Sequence, residues 1–257
     1  MKFEIKSLKK REGIKFFTNI TVLLILILPF TALLAASTLS ESLSIGLPIK
    51  GSLMKGEVIP VKGRGYNLLE STQKEKVRFG TRELVMTIKS AAFKVSKNSP
   101  GANLQVGDLS SRKGGRLDHH ASHQNGRDVD LMYYATLKNN KSVKAPRFTA
   151  FDKNGYSVDP PMKYKFDTKR NYLLVKELIN SDFSEVQWIF TANHLKKLML
   201  DYGESINDSP GFIRKAKQIL KQPKKNLHWD HFHVRIYCPE NDIPRCKDFG
   251  PVWAWNR

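Results

Sequence analysis

The pattern of apolar and polar positions along the chain predicts short helices and short strands in an irregular order. Apolar residues recur at helical spacing over residues 82–97, 171–179, 193–202 and 211–221. Alternating or wholly apolar runs predict strands over residues 103–109, 127–134, 186–191 and 230–237. Because helices and strands do not alternate strictly, we expect an α+β fold in which a small antiparallel sheet is flanked by helices.

The first 36 residues have the pattern of an export signal. Six basic and two acidic residues lie among the first fifteen, and no charged residue occurs between Phe16 and Ala36. A basic head followed by an apolar stretch and small residues is typical of a secretory signal peptide. The uncharged run of 21 residues is also long enough to be an uncleaved membrane anchor. Behind it, residues 37–60 are expected to form an extended segment leading into a folded domain of residues 61–257.

Composition and charge limit the classes of molecule that the chain is expected to bind. The chain has 43 Lys and Arg residues against 24 Asp and Glu residues, a net charge of +19, which favours an anionic partner. Export argues against nucleic acid and favours an anionic polymer outside the cytoplasm, such as peptidoglycan. A membrane would be a partner only if the N-terminal anchor stayed uncleaved. The two cysteines exclude a four-cysteine zinc site.

Six of the seven histidines fall in two short clusters, which is the arrangement that a metal site requires. The first cluster comprises His119, His120 and His123, and the second comprises His228, His231 and His233. Only His194 stands apart, and it is expected to be a surface or capping residue.

Strand geometry would bring the two clusters together. If residues 230–237 form a strand, His231 and His233 project from one face, and Asp128 and Asp130 likewise share a face of their own strand. His123, in the preceding loop, can fold back beside Asp130. Two imidazoles and one carboxylate form a three-ligand set that leaves zinc a position for water. Such a site suits amide hydrolysis, with a further histidine to accept a proton or stabilise an oxyanion.

Both clusters also carry a family resemblance. The segments Gly114-Gly115-Arg116, His120-Ala121-Ser122-His123-Gln124, Gly126 and Asp128-Val129-Asp130 closely resemble those of the penicillin-insensitive murein endopeptidases. The second motif, His231-Phe232-His233-Val234-Arg235 followed by Cys238-Pro239, is similar to the same family. The resemblance covers roughly residues 60–250. It implies the fold shared by the lysostaphin, D-Ala-D-Ala peptidase and hedgehog group, with residues 61–257 as a zinc peptidase domain.

The resemblance also implies an activity and residue roles. The activity is hydrolysis of the D-alanyl to meso-diaminopimelate cross-links between peptidoglycan stem peptides. His123, Asp130 and His233 would be the zinc ligands, and His231 the catalytic base or oxyanion partner. His120 and His228 would be secondary ligands or groups that support the ligands. The family can bind a second metal through an Asp and a His, but the matching stretch, residues 154–157, contains neither, so one Zn²⁺ is expected.

Further residues have less specific roles. Arg116 and Arg235 are candidates for binding a substrate carboxylate, because Arg pairs well with carboxylates, and ordinary ion pairs are an alternative that the sequence favours at least as much. Cys238 and Cys246 flank a short turn in an oxidising compartment, so we expect them to form a disulfide. Trp253 and Trp255 could line a sugar-binding surface or close the core.

Three alternatives stay open from the sequence. One is a D-Ala-D-Ala carboxypeptidase or dipeptidase of the same superfamily, which would share the metal ligands and differ in its pocket. Another is a catalytically silent, zinc-bearing module that binds the cell wall. A third, an exported basic nuclease, is disfavoured by the resemblance. The sequence says nothing about the oligomeric state.

Overall fold

A computed structural model describes residues 41–74, 76–144, 148–159, 163–224 and 228–256. The predicted export segment, residues 1–36, lies outside the described residues. These described residues form one compact unit. Within the described ranges, no helix combines the length and the apolar character needed to cross a bilayer.

Four of the five α-helices in the described chain agree with the apolar periodicity, and the first was not predicted. The five are α1 (Glu70–Lys74), α2 (Arg82–Asn98), α3 (Thr168–Ile179), α4 (Asn193–Ser205) and α5 (Pro210–Ile219). The threonine hydroxyl of Thr81 caps α2 by accepting a hydrogen bond from the backbone N–H of Leu84. Helix α5 ends two residues earlier than predicted, because Leu220 and Lys221 leave the helix to join the sheet.

Fourteen strands are assigned in the described chain, many of them very short. They are β1 (Leu43–Leu47), β2 (Lys50–Met54), β3 (Glu57–Val58), β4 (Lys62–Gly63), β5 (Tyr66–Leu68), β6 (Phe79–Gly80), β7 (Leu104–Val106), β8 (Asp128–Met132), β9 (Ala135–Leu137), β10 (Ser142–Val143), β11 (Tyr164–Phe166), β12 (Val186–Phe190), β13 (Leu220–Lys221) and β14 (His231–Ile236). All four predicted strands are present, as β7, β8, β12 and β14.

The main sheet is larger than the small antiparallel sheet that the sequence predicts. Seven strands are joined in the order β13-β12-β14-β8-β7-β5-β4. The pairs β12–β13 and β5–β7 are parallel, whereas β12–β14, β14–β8, β7–β8 and β4–β5 are antiparallel. The α+β class is confirmed, and the added strands are those too short to show a period in the sequence.

The two central strands separate a core face from a polar face. Val129 and Leu131 of β8 and Phe232 and Val234 of β14 are fully buried in one hydrophobic core. That core also contains the apolar faces of α2 and α3. Because side chains alternate along a strand, the intervening acidic and basic residues of β8 and β14 face the opposite side of the sheet.

The N-terminal hairpin supports the loop that precedes β8. Strands β1 and β2 pair over five residues, and Pro48 lies in the turn between them. The carbonyl of Pro48 accepts the N–H of Gln124 at 3.1 Å, and Leu53 N–H donates to the carbonyl of Lys113 at 2.9 Å. Residues 41–60, which fall within the predicted extended segment, therefore contribute strands that contact the histidine-bearing loop.

A disulfide joins the segment after β14 to the following turn. Cys238 and Cys246 are bonded, as the sequence predicts, and both are buried. The carbonyl of Asp242 accepts the N–H of Cys246 at 2.8 Å within the same turn. The covalent bond therefore restrains the chain directly behind the strand that carries His231 and His233.

We predict that replacing both cysteines, Cys238→Ser with Cys246→Ser, lowers the free energy of unfolding by about 2 kcal/mol, because the short closed loop loses its cross-link in the unfolded state. Urea unfolding of oxidised wild type and of the double variant measures this difference. Wild type treated with a reductant is the matched control and should unfold like the variant. An unchanged unfolding midpoint in the variant would show that the disulfide does not stabilise the fold.

Candidate metal centre

The pairing of β8 with β14 places the acidic residues of one strand beside the basic residues of the other. His233 lies opposite Asp130, and Arg235 lies opposite Asp128. All four side chains project from the polar face of the sheet, and all four are buried. This arrangement confirms the alternation predicted from the sequence.

The loop before β8 brings a third residue to this face. His123 adopts a left-handed backbone conformation with φ of 67°, and its side chain is fully buried. The Ser110 hydroxyl donates to the carbonyl of His123 at 2.6 Å and accepts the N–H of Gly126 at 2.9 Å. Gly126 has φ of 80°, and a Cβ there would lie within 3.0 Å of both Leu53 and the Thr81 backbone, so the close turn requires glycine.

Nitrogen atoms of four histidines converge on the carboxylate of Asp130. The distance from Asp130 Oδ1 is 3.2 Å to Nδ1 of His233, 3.4 Å to Nε2 of His123 and 3.5 Å to Nε2 of His231. Nδ1 of His120 lies 3.6 Å from Oδ2. Asp130 Oδ1 nevertheless is buried without a hydrogen bond. A buried carboxylate oxygen surrounded by ring nitrogens, yet unbonded, is the environment expected of a metal ligand.

The opposite nitrogen of each of these rings is held by an oxygen acceptor. His123 Nδ1 donates to the carbonyl of Leu109 at 3.0 Å, and His233 Nε2 donates to Asp128 at 2.9 Å. In the same way, Asp108 holds His120 Nε2 at 3.1 Å, and Asp230 holds His231 Nδ1 at 2.7 Å. Each neutral ring therefore carries its proton on the outer nitrogen and turns a lone pair toward Asp130. Acceptors of this kind fix the tautomer of metal-ligating histidines.

Two of these rings, those of His123 and His233, place nitrogen lone pairs close to each other and to Asp130. Nε2 of His123 and Nδ1 of His233 lie 3.3 Å apart, and each is 3.2–3.4 Å from Asp130 Oδ1. With the protons on the outer nitrogens, three electron-rich atoms face one another, and either a further proton or a metal ion among them would relieve their repulsion. Ligand atoms about 2.0–2.1 Å from a tetrahedral zinc ion are about 3.3 Å apart, which agrees with these separations. The donor set therefore fits zinc.

The buried carboxylates carry negative charge. Burial alone would raise the pKa of Asp128, but the guanidinium of Arg235, 2.7 Å away, and the ring of His233 hold that pKa far below its usual range. Burial likewise opposes ionisation of Asp130, yet nearby His123 and the other imidazoles keep its pKa well below the usual value. The polar face of the sheet is therefore an anionic centre that attracts positive charge.

The pKa values of two histidines, His231 and His233, are raised by the same carboxylates. Burial disfavours the charged ring of His231, but the carboxylates of Asp130 and Asp230 raise its pKa overall. For His233, burial is likewise outweighed by the hydrogen bond to Asp128 and by the negative charges of Asp128 and Asp130, and the pKa is raised. The protein alone thus favours positive charge among these rings, which a bound cation would supply.

His228 lies beside the same cluster, held through its main chain. It has φ of 45°, and its carbonyl accepts the Tyr133 hydroxyl at 2.7 Å and the N–H of Ala192 at 2.9 Å. The centroid of its ring is 5.0 Å from that of His231 and 5.7 Å from that of Phe190. Tyr133 and Ala192 thereby fix the position of His228 beside β14.

An open cleft of about 350 Å³ gives access to this centre. Its lining includes both histidine clusters together with Ile49, Asp130, Phe190, Pro223 and Arg235. His119 is exposed at the cleft. Arg116 is exposed and is not part of the lining. His194 lies elsewhere, with its Nε2 bonded to the carbonyl of Phe151.

Several residues of the site are missed by sequence reasoning. Asp108 orients His120 and is itself held by the hydroxyl of Thr72 at 2.6 Å. Ser110 and Tyr133 fix the two histidine-bearing loops through main-chain carbonyls. Asp230 is adjacent to His231 in the sequence, so its role as the carboxylate that orients this ring could have been predicted. The others become neighbours only through the folding of distant segments.

The fold and the site together define the class of this protein. It is an α+β protein with a candidate metal centre, in which histidines and a carboxylate lie beneath an open cleft. Atoms of His120, His123 and Asp130 lie within 4.8 Å of one another and could hold a metal ion. Residues 44–254 match the family described as penicillin-insensitive murein endopeptidase, and the chain belongs to that family.

Curated relatives carry the same name. The chain is 29% identical over 213 residues to the penicillin-insensitive murein endopeptidase of Klebsiella pneumoniae (strain 342), covering 81% of this chain and 70% of the relative. It is 29% identical over 210 residues to that of Escherichia coli O17:K52:H18, covering 80% and 69%. The corresponding protein of Salmonella heidelberg is 28% identical over 210 residues, with the same coverage.

We predict that Arg235→Met destabilises the protein by about 3 kcal/mol, because it removes the guanidinium that compensates the buried charge of Asp128. Urea unfolding measures the loss, and Arg112→Met, at an exposed position, is the matched control. Combining Arg235→Met with Asp128→Asn should recover part of the stability. A variant as stable as wild type would show that Arg235 does not compensate Asp128.

Proposed function

We propose that this chain is a zinc-dependent endopeptidase that hydrolyses the D-alanyl to meso-diaminopimelate cross-links of peptidoglycan. One observation carries the proposal: Nε2 of His123, Oδ1 of Asp130 and Nδ1 of His233 lie 3.2–3.4 Å from one another, with the Asp130 oxygen buried and unbonded. Membership of the murein endopeptidase family supports the substrate class.

His123, Asp130 and His233 would hold the ion. Two neutral imidazoles and one carboxylate suit zinc and keep the charge of the site low. His120 offers Nδ1 as a further ligand or as a group that supports Asp130. Bound zinc would supply a Lewis acid that lowers the pKa of water to about 7. Asp108, Asp128 and the carbonyl of Leu109 hold the outer nitrogens of the rings, which fixes the direction of the ligand lone pairs.

We assign the proton transfers of the proposed hydrolysis to His231. Asp230 accepts the proton on Nδ1 at 2.7 Å, so the neutral ring presents a basic Nε2. His231 lines the cleft, and the Phe148 ring packs against it with centroids 5.0 Å apart. From this position, Nε2 accepts a proton from the water that attacks the peptide carbonyl and returns it to the departing amine. His228 lies beside it as a second histidine of the cleft.

A single metal is proposed. In the stretch where the family can hold a second metal, residues 154–157 form a turn around Asp152. Its Oδ1 accepts the N–H groups of Asn154 and Tyr156, both at 2.9 Å. That carboxylate is therefore used to stabilise the turn, which supports the expectation of one ion.

The substrate and the compartment follow from charge and export. Peptidoglycan stem peptides carry free carboxylates that a chain of net charge +19 attracts. Arg235 donates its Nε to Asp128, so only the rest of its guanidinium is available for a substrate carboxylate. We place the domain in the periplasm, either free after cleavage of residues 1–36 or tethered to the inner membrane by them.

We predict that the full chain converts cross-linked dimers of purified sacculi into monomers, that a chelator abolishes this conversion, and that zinc restores it. Mass spectrometry of the released fragments measures the products. Release of free D-alanine alone would instead identify a carboxypeptidase. Bound zinc without any product would identify a silent wall-binding module.

We predict that His231→Ala retains zinc and loses at least about a hundredfold in kcat, because the proton acceptor is removed while the ligands remain. His233→Ala should lose both zinc and turnover. Zinc content by elemental analysis, together with the rate on sacculi, separates the two effects. His194→Ala, away from the cleft, is the control and should keep both. Full activity of His231→Ala would remove that residue from the mechanism.

A further inference from the structure

A row of aromatic rings leads from the cleft to the C-terminal segment. Phe190 lines the cleft and has its ring 5.4 Å from that of His233. Trp188 stacks on Phe190 with centroids 5.8 Å apart, and Trp253 meets Trp188 edge-on at 4.9 Å. Trp255 stacks on Trp253 at 5.5 Å. The rings are therefore continuous with the candidate active site.

Two lysines lie over this row. Nζ of Lys221 is 4.9 Å from the centroid of the Trp188 ring, and Nζ of Lys215 is 5.3 Å from that of Trp255. These distances allow cation–π attraction, which holds each ammonium group over a ring. We call the four rings and the two lysines, namely Trp188, Phe190, Trp253, Trp255, Lys215 and Lys221, the aromatic strip.

The aromatic strip is fixed in place by hydrogen bonds. The indole N–H of Trp253 donates to the carbonyl of Gln187 at 2.9 Å, and its backbone N–H donates to the hydroxyl of Tyr237 at 3.2 Å. Both contacts tie the C-terminal segment to the strands beside the cleft. Trp253 and Phe190 are partly buried, and Trp255 is 36% exposed. Trp188 is itself buried, so the strip is preorganised and offers contact area to a partner through Phe190, Trp253 and Trp255.

The two lysines of the aromatic strip form no ion pair with any carboxylate in the described part of the chain. Within the described chain, no carboxylate lies within 4.0 Å of the ammonium group of Lys215 or Lys221. The nearby ammonium of Lys196 has a lowered pKa, because of its burial and of the positive charges of Lys217 and Lys221. Lys221 therefore adds positive charge beside Trp188, whereas Trp255, which lies under Lys215, lines a cavity together with Glu83, Asp182, Glu185 and Glu240.

We propose that the aromatic strip binds the carboxylate-bearing stem peptide that extends from the bond held in the cleft. The proposal rests on the proposed function, because peptidoglycan stem peptides are taken as the substrate. Continuity with the cleft through Phe190 places the strip where a bound strand would continue. Charge complementarity favours a peptide with free carboxylates over the uncharged glycan. Ammonium groups held over rings are already positioned to pair with those carboxylates.

The test is a double variant, Lys215→Gln with Lys221→Gln, compared with the control Lys62→Gln with Lys97→Gln. Lys62 and Lys97 are exposed residues of β4 and α2, so both variants lose the same net charge. We expect the strip variant to raise KM on sacculi about fivefold with kcat unchanged, since each exposed ion pair contributes a factor of about two to five. The difference should vanish at about 0.5 M salt, where screening is strong. A control variant with the same KM as the strip variant would overturn the proposal.

A binding assay separates this proposal from the proposed function. Sacculi are pelleted with the otherwise unaltered His231→Ala protein and with the same protein carrying the strip substitutions. Weaker pelleting of the latter supports the strip even if no hydrolysis is ever seen. Equal pelleting of both overturns it while leaving the endopeptidase activity untouched.

A third comparison distinguishes the glycan from the peptide. Stripping the stem peptides would leave a carboxylate on each lactyl ether, so the glycan probe is an uncharged N-acetylglucosamine oligomer. It should not bind the His231→Ala protein through the strip, and Trp255→Ala should leave any binding of the oligomer unchanged. Loss of glycan binding on Trp255→Ala would show that the aromatic strip is a sugar platform and would overturn the stem-peptide assignment.

Discussion

The carboxylate of Asp130 is the group on which the site depends. It lies on a fully paired central strand, and its Oδ1 faces three imidazole nitrogens at 3.2–3.5 Å without a hydrogen bond. A bare carboxylate in such a buried position is costly unless positive charge compensates it. The imidazoles around it provide that compensation and keep the carboxylate ionised. Metal binding should accordingly stabilise the folded state, because the unfolded chain has no such site.

A second carboxylate makes the arrangement rigid. Asp128 accepts from Arg235 at 2.7 Å, from His233 at 2.9 Å and from the backbone N–H of His123 at 3.3 Å. It thereby connects both central strands to the loop before β8. Because the strand-borne residues are fixed by the sheet, only the two histidine-bearing loops need separate support, and Ser110 and Tyr133 provide it through main-chain carbonyls.

The sequence predicts the central part of this structure well, because strand alternation is a strict geometric rule. Knowing that residues 128–132 and 231–236 are strands is enough to place Asp130 and His233 on polar faces. It does not reveal Asp108, which reaches His120 only because β7 pairs with β8. Nor does it reveal strands of two or three residues such as β4 and β13, which are too short to show a period and form because a neighbouring strand offers hydrogen bonds.

The same difference between local rules and long-range contacts determines which roles of the site residues could be predicted. The disulfide could be predicted because the oxidising compartment and the short spacing restrict the pairing of the two cysteines. The sequence did not decide whether Arg235 binds a substrate carboxylate or forms an ion pair, and only the strand register places Asp128 opposite it. Trp253 and Trp255 were equally undecided, and they prove to differ: Trp253 packs against the core, while Trp255 remains 36% exposed. Residues whose role depends on one local rule can be read from the sequence. Those whose role depends on what lies across the sheet, including the lysines over the aromatic strip, require the fold.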